Sequence, residues 1–316
     1  MTAETFFLTA SDGEKIAVHR WAPDKPVRAV LQISHGMAEF AMRYDQFARE
    51  AAAQGIEVFA ADHRGHGETA GTLNRLGYLA DKNGFDRVML DQKELTDEIR
   101  RRLHGTPVFL FAHSFGSFIG QYYIENHGNL LSGCVLCGTR GPDPVMTILG
   151  KFAADCVCAA NGRKKPSPLL TQLSFGTYNA KIDAPSSPNA WLSRDEKEVE
   201  KYDASPWTGF TCTAGFFQDL TSGLLKIHKR ANLDRIPRDL PVFLIAGDHD
   251  PVGGYGKTVE KLCSMYRNRG IAAEIKLYPG ARHELLNETC RDEVSSDIRG
   301  WIEQILSSTA APAGSR

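Results

Sequence analysis

Charge of either sign in excess is missing from this chain: 37 lysines and arginines face 38 aspartates and glutamates, a formal net charge of −1. So even a balance supplies no field to draw in nucleic acid, and none is expected as a partner. Long hydrophobic runs are missing too. No apolar stretch approaches the roughly twenty residues that a bilayer-spanning helix needs. The first residues, Met1 to Asp12, have no basic leader and a single short apolar run, so a secretory signal is not expected. Cysteine lacks a pattern. Seven is an odd count, and most sit inside apolar segments, as reduced thiols in a cytoplasmic protein would. Cys134 and Cys137 lie three apart in an expected strand and so face opposite sides, while Cys156 and Cys158 on a helix fare no better. Both pairs read as packing, not as metal clips. Internal repeats are also absent.

What is present is a core-forming composition, 42% hydrophobic, in an alternation of strand and helix signals. Phe6–Ala10 and Lys15–Trp21 flank the turn Ser11-Asp-Gly-Glu14 and predict a hairpin. Strands are then expected at Ala29–Ser34, Glu57–Ala61, Pro107–Ala112, Leu131–Gly138, Pro241–Gly247 and Ala273–Tyr278. Helices are expected at Tyr44–Gln54, Phe85–Leu103, Lys257–Arg269 and Asp292–Leu306. The last carries Val294, Ile298, Trp301, Ile302 and Ile305 on one face. This pattern predicts an α/β fold: a mainly parallel sheet with helices on both faces, built from residues 1–139 and 238–306. Between them, residues 140–237 break the alternation and read as an inserted helical cap. Its signals are a stripe of Met146, Leu149, Phe152, Ala153, Cys156 and Val157, a capping box Ser193-Arg-Asp-Glu196, and a stripe of Phe216, Leu220, Leu224 and Ile227. Arg163-Lys-Lys165 reads as a solvated loop. Residues 307–316 read as a disordered tail.

Within the strand at Pro107–Ala112 and the helix after it stands Ala112-His-Ser-Phe-Gly116, one residue from G-x-S-x-G. In that motif a sharp strand-to-helix turn lifts a serine hydroxyl clear of the sheet, with small residues two before and two after it. Ser114 is therefore the candidate nucleophile. A base is expected on a loop near it, and His283, after the strand ending at Tyr278, is the best placed of ten histidines. His283-Glu-Leu-Leu-Asn287 nearly spells H-E-x-x-H, but Asn287 replaces the second histidine and removes the zinc reading. The acid should come from Gly247-Asp-His-Asp-Pro-Val252, where Asp250 is preferred and Asp248 is the alternative. Nucleophile, acid, base is the chain order of the α/β-hydrolases. Oxyanion donors are expected in the backbone N–H of Phe115 and of Met37, the latter freed by an unusual backbone angle at Gly36 beside His35. Asp62-His63-Arg-Gly-His66 reads as a glycine-rich loop bracing the site, since no further ligand for a metal stands nearby. No metal and no cofactor are expected.

With these residues in hand, the sequence resembles the monoacylglycerol lipase and lysophospholipase branch of the α/β-hydrolases, grouped with serine aminopeptidase-like proteins. The resemblance runs from about Phe6 to Leu306 and rests on His35-Gly-Met-Ala-Glu39, Asp62–Gly67, Ala112–Gly116, Gly247–Val252 and Gly280-Ala-Arg-His283. It implies Ser114 as nucleophile, Asp250 as acid, His283 as base, and Met37 and Phe115 as oxyanion donors. It also implies a small-molecule ester or lysolipid substrate and transient contact of the cap with a membrane surface. Ala112, Ser117 and Phe40 depart from the usual glycine, glycine and histidine, and bear on pocket shape. A small-ester carboxylesterase, a peptidase and a non-catalytic binding protein of the same fold are the alternatives.

Overall fold

The computed structural model describes residues 2–310. Strands β1 (Thr2–Thr9) and β2 (Lys15–Ala22) form the expected hairpin, in register Phe6 with Val18. Its turn is closed by the Ala10 N–H donating to the Glu14 carbonyl, with Gly13 at φ +90°. Six further strands follow: β3 (Ala29–Ser34), β4 (Ile56–Ala61), β5 (Val108–His113), β6 (Gly133–Cys137), β7 (Val242–Gly247) and β8 (Ala273–Tyr278). They join one sheet in the order β1-β2-β4-β3-β5-β6-β7-β8, with β2 antiparallel to β4 and every later pairing parallel.

Period-two alternation explains why the central strands are apolar throughout. In β5, Leu110 and Ala112 pack on one face while Phe109 and Phe111 pack on the other. Helices α1 (Asp45–Ala53) and, at the chain's end, Arg291–Ala310 cover the second face. The first face is covered by the helices Gly84–Arg102, Phe115–His127 and Lys257–Arg267. In chain order α2 is Gly67–Ala70, α3 Gly84–Arg102 and α4 Phe115–His127. Cys134 and Cys137 fall in the two opposite cores, as their spacing requires.

Between β6 and β7 run α5 (Pro144–Asn161), α6 (Pro168–Phe175), α7 (Glu196–Ala204), α8 (Ala214–Leu224) and α9 (Arg230–Leu233); α10 (Lys257–Arg267) and α11 (Arg291–Ala310) complete the chain. Three expectations are corrected in these elements. The α5 stripe is not uniformly inward: Met146, Leu149 and Phe152 are 60%, 57% and 68% exposed, and Ala154 is the helix's buried residue. A helix buries the side that a neighbour covers, and α8 lies against the Asp155 side, where Gln218 donates to the Asp155 carboxylate. At α7 the cap residue is Asp195, whose side chain accepts from the Lys197 N–H. Ser193 is instead buried against the loop after β8, where its hydroxyl donates to the Asn287 carbonyl at 2.8 Å. Finally, α11 continues to Ala310, four residues past Leu306, so residues 307–310 are helical. Residues 311–316 of the expected tail lie outside the described residues. Among the described residues, no helix is long and apolar enough to cross a membrane.

Strand order fixes where polar loops can meet. The chain passes from β3 to β4 on one side, then returns to place β5 on the other side of β3. Loops leaving the carboxyl ends of β3 and β5 therefore diverge and leave a crevice between them. Packing at that end leaves little slack: a Cβ on Gly247, the last residue of β7, would stand 1.9 Å from the Ala281 carbonyl oxygen. Gly247→Ala is expected to lower stability in urea titration by about 2–3 kcal/mol through overpacking. Gly300→Ala, in α11 with open space around the Cβ position, should raise it by about 0.5–1 kcal/mol.

Candidate active site

Ser114 follows β5 and precedes α4 with φ 52° and ψ −120°, a backbone conformation costly for a residue with a side chain. The tightness has a visible cause. A Cβ on Gly116 would fall 2.2 Å from the Ser34 carbonyl oxygen, so the first turn of α4 passes directly over the end of β3. Ala112 is fully buried, and its methyl would be 2.8 Å from a Cβ on Gly120. Ser117 turns its hydroxyl back to donate to the Ser114 carbonyl at 2.6 Å.

The structure brings the three separated side chains together. Ser114 Oγ lies 2.8 Å from His283 Nε2, and His283 Nδ1 lies 3.0 Å from Asp250 Oδ2. Asp250 is wholly buried, and its other oxygen accepts from the Val252 N–H at 2.8 Å. That pairing puts the imidazole proton on Nδ1 and leaves Nε2 free to accept from the serine. Asp248 takes no part in this contact. It accepts from the Gly280 N–H at 2.6 Å and pairs with His249.

The loop after β3 is built around neutral histidines. His35 Nε2 accepts from the His63 N–H at 2.9 Å, so its proton is on Nδ1, which donates to the Gly36 carbonyl at 2.8 Å. Burial pushes His35 down to about 3, and His66 down to about 4. Because the peptide is trans, pinning the Gly36 carbonyl to the His35 ring turns the Met37 N–H the opposite way. Among the described residues, no protein acceptor takes the N–H of Met37 or of Phe115. Both residues border the cavity beside Ser114.

One expectation changes here. Gly36 is not in the left-handed region; Ala38 is, at φ 53°. Gly36 is needed for space, since a Cβ there would meet Glu39 Oε1 at 2.5 Å and Ser114 Cβ at 3.1 Å. The Asp62–Gly67 loop braces the site as hydrogen bonds: Asp62 accepts from Ala41 and Glu68 N–H groups, and His66 Nε2 accepts from the Ala38 N–H.

Sequence reasoning missed a buried charge network under these loops. Glu39 accepts from the Gly36 N–H, from Tyr44 Oη at 2.9 Å and from Arg43 Nη1 at 2.9 Å, and pairs with His113 Nδ1 at 3.0 Å. Arg43 also grips Glu284 with both Nη atoms, at 2.5 and 2.6 Å, and stacks on Tyr202. Tyr202 in turn donates to the Ala38 carbonyl at 3.0 Å. Burial alone would lower His113, but its bond to the Glu39 carboxylate raises it instead. A signal was available in His113, a polar residue that ends an apolar strand, where an unpaired charge would be costly. Trp191 and Gly138 carried none. The Trp191 ring centroid lies 5.0 Å from that of His283, and Gly138 leaves the room in which the imidazole stands.

Ser114 borders two cavities. One, about 610 Å³, is lined by Phe118, Met146, Leu149, Leu173, Phe217 and Leu224 among others. The other, about 290 Å³, is more polar and includes Asn179, Asn189, Tyr202 and Glu284.

Residues 25–290 match the family model described as serine aminopeptidase, S33. The chain is 29% identical over 300 residues to a monoacylglycerol lipase of Mycolicibacterium smegmatis, covering 92% of this chain and 93% of that protein. It is 28% identical over 295 residues to a monoglyceride lipase homolog of monkeypox virus, covering 92% and 95%. Among solved structures it superposes on a thermostable carboxyl esterase from Bacillus coagulans in complex with glycerol with a TM-score of 0.90. That match has 28% identity over 97% of this chain and 99% of that one. The fold is that of the α/β-hydrolases.

The buried network yields a pH-dependent expectation. Burial alone would raise Glu39, but His113 and Arg43 outweigh it and hold the carboxyl well below its ordinary 4.5. A carboxylate so depressed stabilises the fold fully above pH 4.5, and that contribution is lost as pH falls through the folded value. Glu39→Gln should therefore cost about 3 kcal/mol at pH 7 by stranding buried charge. In urea titrations its deficit against the native chain should narrow steadily below pH 4.5.

Proposed function

This chain belongs to the serine aminopeptidase, S33, family of the α/β-hydrolases, and we propose that within it the chain is a serine hydrolase of carboxylic esters. Its substrates are lipids with a single acyl chain, monoacylglycerols or lysophospholipids. The observation that carries the reading is the Ser114–His283–Asp250 relay, set between a large apolar cavity and a smaller polar one. In this reading His283 takes the Ser114 proton as the oxygen attacks the ester carbonyl. The N–H groups of Met37 and Phe115 donate to the developing oxyanion, the latter aided by the N-terminus of α4. His283 then returns the proton to the departing alcohol. Water, deprotonated by the same imidazole, attacks the acyl-enzyme and releases the acid and the serine.

The two cavities suit the two halves of such an ester. Aliphatic and aromatic walls from α5, α6 and α8 suit an acyl chain, whose transfer from water is favourable in proportion to the apolar area covered. Amide, hydroxyl and carboxylate groups in the smaller pocket suit a hydroxylated leaving group. Residues 140–237 act as a cap over both. The exposed apolar side chains of that cap, Val145, Ile148, Phe152 and Leu169 among them, are the surface that would meet a lipid interface. A carboxylesterase of short esters is the second reading, favoured by the likeness to the Bacillus coagulans esterase.

Ser114→Ala should abolish both covalent labelling by a fluorophosphonate and cleavage of p-nitrophenyl esters. Wild-type turnover in that variant would refute the nucleophile. A profile across acyl esters from acetyl to palmitoyl should rise with chain length, and a maximum at acetyl or butyryl would select the short-ester reading. Phe152→Glu should slow hydrolysis of a monoacylglycerol in vesicles several-fold while leaving a soluble butyryl ester unaffected.

A further inference from the structure

Beside the relay, on the far side of Tyr178, is a third cavity of about 300 Å³ whose described lining residues include no acid. Its walls are Lys181, Arg194, His249 and Arg282, with Tyr178, Tyr255, Ile182 and Gly280. The basic loop flagged in the sequence, Arg163-Lys-Lys165, cannot play the same part. Arg163 is bound to Asp219 and Lys164 to Asp81.

The cations of this cavity are held differently. Glu288, fully buried, accepts from Arg194 Nε at 2.9 Å and from the Arg282 backbone N–H at 3.0 Å, so one carboxylate anchors both residues from behind. Arg282 Nη1 is fixed by the Ala190 and Ser193 carbonyls at 2.7 and 2.9 Å. These are neutral partners, and no hydrogen bond to protein occupies Arg282 Nη2 or Nε among the described residues. Arg194 Nη1 reaches the Pro279 carbonyl at 3.5 Å and Nη2 the Cys290 sulfur at 3.9 Å, both long contacts. Lys181 has no carboxylate partner there and rests 3.4 Å above the Tyr255 ring. Asp248, nearby, already accepts from Gly280 and pairs with His249. Burial lowers Arg282, and Arg194 adds repulsion against the pull of Glu288 and Glu196, as expected where like charges are held together by the fold.

We propose that this cavity binds a phosphate group, free or as a monoester, through Lys181, Arg194 and Arg282. The open Nε and Nη2 of Arg282 present paired N–H donors that match phosphate oxygens, while the Arg194 guanidinium and Lys181 add two further positive charges. A tetrahedral dianion uses all three; a single carboxylate would leave one cation unmatched. The position matters as well. Tyr178 is a shared wall with the large apolar cavity and lies edge-on to Trp191 at 4.9 Å, and Trp191 faces His283. The binding site stands without the ester-hydrolase reading; its use for a substrate headgroup rests on that reading.

Calorimetric titration with inorganic phosphate, against chloride at equal ionic strength, tests the site in the full chain. Saturable binding is expected, weakened about ten-fold in Lys181→Met, whose side chain is exposed, and about ten-fold or more in Arg282→Gln. Ser114→Ala should bind phosphate like the native chain, which separates this result from any failure of the catalytic reading. Competition then identifies the source. If phosphate raises KM for a monoacylglycerol phosphate but not for the uncharged monoacylglycerol of the same chain, the site takes a lipid headgroup. If binding occurs without that selective competition, the site takes the free anion. Absence of saturable binding, or binding undiminished in both variants, would overturn the proposal.

Discussion

The close crossing of α4 over the end of β3 is the constraint on which the rest of the site depends. Gly116 approaches the Ser34 and His35 carbonyls so nearly that no side chain fits. The chain can make that approach only by turning within one residue, and Ser114 takes the turn at positive φ. Such a conformation costs about 1–3 kcal/mol and persists only where surrounding contacts over-determine it. Here they do. The Ser114 N–H donates to the Cys137 carbonyl of β6, and its carbonyl accepts from Ser117. Strain at one residue is thus converted into a hydroxyl that stands clear of the sheet at a helix N-terminus.

A second layer holds the loops that meet this hydroxyl. Glu284 adjoins His283 and Glu39 lies in the loop after β3, and Arg43 binds both. Buried ion pairs are poor sources of net stability, because desolvation takes back much of the attraction. Their value here is geometric: removing one partner leaves an unpaired charge, so the loops after β3 and β8 cannot drift independently. Through Tyr202 and the Ala38 carbonyl the same network reaches into residues 140–237. Residues 140–237 are therefore joined to the loop after β3 by hydrogen bonds to the Ala38 carbonyl and not merely laid over it.

The three histidines of the β3 and β4 loops illustrate how a metal-like cluster is made inert. Each donates or accepts within the backbone of its neighbours, and burial keeps all three neutral. The ring nitrogens of His35 and His66 and the Nε2 of His63 are committed to neighbouring groups, among them the Gly36 carbonyl that sets the direction of the Met37 N–H, while His63 Nδ1 is buried without a partner among the described residues. Among the described residues, no group of three potential metal ligands converges.

Much was legible before any coordinates. Strand and helix order, the sheet's mainly parallel character, the hairpin and the turn around Ser114 follow from local periodicity and turn chemistry, which act over a few residues. The loops carrying Ser114, Asp250 and His283 could be chosen because each follows a strand, and strands of a parallel sheet deliver their loops to one edge. Contacts with no sequence period stayed hidden: the Glu39–Arg43–Glu284 network, the Trp191 ring beside His283, the outward face of α5, and Ser193 bound to Asn287. Arg43 to Glu284 and Ser193 to Asn287 span 241 and 94 positions, with partners chosen by the packing of distant segments. Local chemistry wrote the elements and their order; only folding in three dimensions could decide which charges would share one buried space, because burial and pairing are properties of neighbours that the chain itself does not adjoin.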